Sequence, residues 1–140
     1  MEQRISLLTL AVADLDVSRR FYLEGLGWEP FLDVPGDVLM IRTGEHLLLS
    51  LWVEPHFEAE VGEPVRRGPG VAPITIAHNV ADEAEVDAVL ATARAAGADP
   101  VSDAVRREWG GYTGYFADPD GYRWEVAYAP GEITELVVPR

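Results

Sequence analysis

The chain has 140 residues, 48% of them hydrophobic and 25% charged, as expected of one ordinary globular domain that buries its core without staples. It contains no cysteine, which excludes disulfides, thiolate metal sites and cysteine nucleophiles. Against 11 basic residues stand 24 acidic ones, and the net charge of −13 argues against nucleic acid or an anionic membrane as partner and favours a cationic ligand.

The opening Met1-Glu2-Gln3-Arg4 lacks a leader pattern, and the apolar run Ile5 to Ala13 is too short to span a bilayer, so a cytoplasmic location is expected. Ile5 to Val12 reads as a strand. Asp14 and Asp16 offer N-caps for a helix to about Leu26, with Val17, Phe21 and Leu26 inward and Gly27 as a left-handed stop. Trp28 to Val34 reads as a strand, Pro35-Gly36-Asp37 as a tight turn and Val38 to Arg42 as the hairpin partner. After a turn at Thr43-Gly44-Glu45, a fourth strand covers His46 to Val53. A proline- and glycine-rich connector follows.

Ile74 to Asn79 is the next predicted strand, and Asp82 with Glu85 forms a capping-box variant. Val86, Val89, Leu90 and Ala93 then make one apolar helical stripe that ends at Gly97. Val101 to Glu108 reads as an exposed strand and Gly110-Gly111 as a flexible break. Tyr112 to Ala117 and Arg123 to Ala129 are strands joined by the turn Asp118-Pro119-Asp120-Gly121.

Two halves of this order match. Leu8-Thr9-Leu10-Ala11 returns 66 residues later as Ile74-Thr75-Ile76-Ala77, and the offset grows to 70 at the helix-ending glycines and 77 at Gly44 and Gly121. The chain is therefore βαβββ twice, an α+β protein of one domain. Its first module covers about 1–54, a linker 55–72, its second module about 73–130 and a tail 131–140. Paired modules of this kind commonly bind something between them.

The pieces Val12-Ala13-Asp14-Leu15, Ser18, Phe21-Tyr22 and Leu26-Gly27, then Ala95-Ala96-Gly97 and Tyr115 through Glu125, resemble the vicinal oxygen chelate superfamily. That superfamily includes glyoxalase I, extradiol dioxygenases and the fosfomycin- and bleomycin-resistance proteins. The resemblance implies an eight-stranded, cup-shaped mixed sheet with helices outside and a pocket within. In metal-using relatives four positions in the cup hold a divalent ion, and here they fall on Leu7, Leu48, Pro73 (or Thr75 if the strand is shifted) and Glu125. Only Glu125 is a competent ligand among them, so neither a metal nor another cofactor is expected. His46, His56 and His78 form no ligand spacing that would restore the site, and His78 is expected on the helix side of its strand.

Alternation sends Glu125 to the face opposite Trp124 and Val126, where it suits a general base or a hydrogen-bond acceptor. Trp109, Tyr112 and Tyr115 cluster around glycines and could stack on a flat ligand. Leu7, Leu48, Trp52 and the small polar Thr9, Thr75 and Asn79 are expected on inner faces. Arg66-Arg67 reads as solvated, and Asp118 with Asp120 as turn residues. No phosphate-cradling glycine loop and no serine nucleophile elbow is present. The resulting expectation is a metal-independent protein that captures an organic small molecule, antibiotics and secondary metabolites included. The alternative is a glyoxalase-like lyase or isomerase acting on a small carbonyl compound, with Glu125 as base and Tyr115 or Trp109 as donor. An inert dimeric scaffold ranks third. Relatives by analogy suggest a homodimer.

Overall fold

A computed structural model describes residues 1–139. The chain divides into two compact units, Met1–Pro69 and from Gly70 onward, each with a four-stranded mixed sheet. In the first unit β1 (Leu7–Val12) leads through α1 (Leu15–Arg19) and a π-helical segment (Arg20–Gly25) to β2 (Pro30–Val34), β3 (Val38–Gly44), β4 (Leu47–Val53) and α2 (Glu54–Val61). Its strand order is β1-β4-β3-β2, with β1 parallel to β4 and the remaining pairs antiparallel. The second unit has β5 (Thr75–Asn79), α3 (Glu83–Ala95), β6 (Val105–Arg106), β7 (Tyr112–Ala117), β8 (Arg123–Tyr128) and α4 (Glu132–Val137). Its order, β5-β8-β7-β6, repeats the first. The α+β class, the eight strands and the doubled βαβββ unit follow the sequence reading, with the strands shared equally between two sheets. No helix among the described residues is long and apolar enough to cross a membrane.

Side-chain caps explain where α1 and α3 start. Asp14 accepts from the backbone N–H groups of Asp16 (2.9 Å) and Val17 (3.3 Å). At α3, Asp82 accepts from Glu85 N (2.9 Å) while Glu85 reaches back to Ala81 N (2.8 Å), the reciprocal box read from the sequence. In the first unit Leu15, Phe21 and Tyr22 are buried with Leu10, Val12, Leu39, Ile41, Leu49 and Leu51 of the sheet. In the second, α3 buries Val86, Leu90 and Ala93, while Phe116 and Trp124 stack on their sheet at 6.1 Å.

Several elements depart from expectation. Ser18 and Tyr22 are buried where Val17 and Leu26 were expected, because the inward stripe starts at Leu15 and continues at i+3 and i+7. The strand expected over Val101–Glu108 is only Val105–Arg106. Upstream, Tyr115 N donates to the Ser102 hydroxyl at 2.9 Å rather than to a backbone carbonyl, which interrupts the ladder. The linker holds α2, whose first turn accommodates Pro55, and the tail holds α4; residue 140 of that tail lies outside the described residues.

Candidate functional site

Alternation along β7 and β8 sorts the second unit's side chains onto two faces. Toward α3 go Tyr112, Gly114 and Phe116 with Trp124 and Val126. Tyr112 donates its hydroxyl to Asp87 of α3 (3.0 Å), and a Cβ on Gly114 would meet Leu90 Cδ1 at 2.5 Å. The opposite face carries Thr113 and Tyr115 of β7, Glu125 of β8, and Thr75, Ala77 and Asn79 of β5.

Three polar groups converge on that opposite face. Tyr115 and Glu125 are cross-strand partners, and the tyrosine hydroxyl donates to Glu125 Oε1 at 2.9 Å. Arg107, just beyond β6, donates from Nε to the buried Thr113 hydroxyl at 2.7 Å and places Cζ 6.0 Å from the Tyr115 ring centroid. Partial burial, then the hydrogen bond to Glu125 and its charge, raise the Tyr115 pKa; the guanidinium of Arg107 opposes them. The phenol therefore stays a donor across the physiological range.

A tight turn sets the edge of this group. Gly110 N donates to Arg107 O (2.9 Å) and Arg107 N to Gly111 O (2.7 Å), with Gly110 in the left-handed region at φ +98°. The turn leaves Trp109 59% exposed, its ring lying over Gly111, where a Cβ would stand 1.8 Å from Cη2. Gly111 continues the alternation of Thr113 and Tyr115, so the indole borders the same face.

In the first unit, Leu7 and Leu48 are neighbours across β1 and β4, as are Thr9 with Ser50 and Ala11 with Trp52. Following the sequence echo, Ala11 corresponds to Ala77, so the register sets Trp52 where Glu125 stands in the second unit, a correction to the offset of 77 that matched Leu48 to Glu125. Asp37 accepts from Trp52 Nε1 at 2.9 Å and pairs with His56 Nδ1 at 2.7 Å. The hydrogen bond to His56, then that to Trp52, lowers the Asp37 pKa.

Among the residues singled out from sequence, the structure brings Glu125 and Tyr115 into contact, with Thr75 and Asn79 on their face and Trp109 at its border. Tyr112 is corrected: the period of two turns it toward α3, away from Tyr115. His78 shares its register with Val126 on the α3 side, as expected; desolvation lowers its pKa and the charge of Glu85 opposes this. Sequence reasoning missed Arg107, Thr113, Asp37 and His56. Two adjacent arginines carried a signal, since on any strand one of Arg106 and Arg107 must face away from the helix.

The donor set does not fit the divalent ion of metal-using relatives. Leu7 and Leu48 adjoin each other with no side-chain lone pair, Pro73 offers none, and the alternative Thr75 has only a neutral hydroxyl and pairs with Arg123. Glu125 has Ala77 and Tyr115 as cross-strand neighbours, and the phenol already donates to it. Among the described residues no group of three or more His, Asp or Glu side chains could hold an ion.

No curated protein matches the chain. Among solved structures it is similar to a glyoxalase-related enzyme from Fulvimarina pelagi, with 35% identity over 92% of this chain and 90% of that one and a TM-score of 0.83. It is also similar to a lactoylglutathione lyase from Agrobacterium tumefaciens (28% identity, 91% and 95% covered, TM-score 0.70). A glyoxalase/bleomycin resistance protein/dioxygenase from Nocardioides is a third such structure (25% identity, 94% and 90% covered, TM-score 0.76). Residues 4–126 match the Glyoxalase/Bleomycin resistance protein/Dioxygenase superfamily, and with the doubled βαβββ topology this makes the chain a member of that superfamily.

Proposed function

We propose that the protein captures a small organic molecule without a metal ion, using the face of the second sheet opposite α3. The convergence of Tyr115, Glu125 and Arg107 beside the exposed Trp109 carries this reading: a few oriented polar groups next to an aromatic surface suit a flat organic ligand. Antibiotics and secondary metabolites are the ligand classes the superfamily suggests. Capture needs contact area and matched hydrogen bonds, and the leucines at the metal positions cost it nothing.

Titration with a metabolite panel should change tryptophan emission, and Trp109→Ala should weaken the responding compound about tenfold. A flat emission across the panel with no binding by calorimetry would sink the reading. Protein purified without chelator should hold far less than about one equivalent of transition metal by elemental analysis, and a stoichiometric ion would overturn the metal-independent part.

One observation favours a second reading, a lyase or isomerase on a small carbonyl compound. Tyr115 holds one oxygen of Glu125 and leaves Oε2 without a donor among the described residues, as a positioned base would require. Turnover that falls about a hundredfold or more in Glu125→Gln would support it. Under capture alone there is no turnover, and the same variant changes affinity for a neutral ligand by less than about threefold.

We also propose a homodimer. Phe31, Leu32 and Val34 of the edge strand β2 are 67%, 42% and 38% exposed, an apolar edge that a second copy would cover.

A further inference from the structure

All eleven of the strongly basic residues are arginines. Most of those described are spent on the protein itself. Arg4, Arg19, Arg67, Arg94 and Arg106 form ion pairs with Glu2, with Asp16 and Asp33, with Glu54, with Asp103 and with Glu83 respectively. Arg42 and Arg123 donate to backbone carbonyls. Arg107 differs. It is half-buried, its Nε is held by a neutral hydroxyl, and its charged plane lies near an aromatic ring. Neither Nη1 nor Nη2 has a protein acceptor among the described residues, although 24 acidic side chains are present in the chain. The next-door Arg106 finds Glu83 at 2.7 Å on the α3 side, whereas on the face of Arg107 the carboxylate of Glu125 is bonded to Tyr115 and not to the guanidinium.

A guanidinium whose Nε is occupied still offers two parallel N–H groups from its terminal nitrogens, a fork that matches the two oxygens of a carboxylate. On the other side of Tyr115, Glu125 Oε2 can only accept while ionised. The site thus presents donors at one end, an acceptor at the other and an indole at the border. We propose that Arg107 anchors a carboxylate of the ligand, and that the captured class is an aromatic organic acid bearing a hydroxyl that donates to Glu125. This rests on the capture reading above and reverses the expectation from net charge: the acidic surface would draw cations, but this face holds an unspent guanidinium.

Phenyllactate and its neutral amide, phenyllactamide, test it by calorimetry on the intact protein. Wild type should bind the acid at least about tenfold more tightly than the amide. Arg107→Gln should weaken the acid about tenfold to a hundredfold and the amide several-fold less than the acid, so that the preference for the acid is lost, with Arg107→Lys recovering part of it. Thr113→Val, which keeps the charge and removes the bond that aims it, should weaken the acid alone, and it serves if Arg107→Gln loses its circular dichroism. Equal binding of acid and amide, or an acid affinity untouched in both variants, overturns the anchor and leaves capture standing. Binding by neither compound overturns the anchor, and flat emission across the wider metabolite panel then overturns capture with it.

Discussion

At the residue scale, the Tyr115–Glu125 bond is the group whose chemistry can be read most directly. Tyr115→Phe removes the hydrogen bond donated to Glu125 and should destabilise the fold by about 1 kcal/mol in urea unfolding. The raised Tyr115 pKa gives its folded-state contribution a direction. That stabilisation is full below the unfolded tyrosine value, 10.0, and is lost as pH climbs through the higher folded value. Asp37 works in the opposite sense. Its folded pKa lies below 3.8, so the unfolded chain binds more protons in that window and stability rises with pH there. Wild type should therefore lose thermal stability on acidification below about pH 4 more steeply than Asp37→Asn, and equal slopes would show that the His56 and Trp52 contacts together contribute nothing.

At the element scale, α1 and α3 are each started by a side chain and seated by one face. Asp82→Ala removes the acceptor for Glu85 N and should lower stability by about 1 kcal/mol, measured as a shift in urea midpoint at constant slope. Two glycines flanking β7 and within it should answer alanine differently. At Gly114 the added methyl meets Leu90 and the backbone of Ala104 at 3.3 Å, a contact between packed layers, so Gly114→Ala should cost about 1–3 kcal/mol. At Gly111 the nearest atoms to the methyl belong to the exposed Trp109 indole, which can swing away. Gly111→Ala should leave stability nearly unchanged and shift tryptophan emission.

At the scale of the whole molecule, two units of like topology carry different chemistry in matching register. One has Trp52 bonded to Asp37, the other Glu125 bonded to Tyr115. A common frame with divergent side chains is what duplication followed by specialisation produces, and it leaves function to the site rather than to the fold. The proposed dimer belongs to this scale. Light scattering should report twice the 15.4 kDa chain mass, and Phe31→Glu on the apolar edge should shift it toward monomer.

The sequence by itself determined the α+β class, the doubled βαβββ order, the caps of α1 and α3 and the face of Glu125. Each is a local regularity: a period of two or of 3.6, a cap three residues from its target, or a repeated tetrapeptide. Only the tertiary structure decided that Arg107 aims its side chain beside Tyr115 while Arg106 goes to Glu83, that Tyr112 belongs to α3, and that Asp37 gathers His56 and Trp52. These meetings join residues up to 25 positions apart, and they depend on which strands pair and in what register. A slip of one residue between β6 and β7 would have exchanged the faces of Arg106 and Arg107, and two like side chains in sequence give no local sign of which register holds.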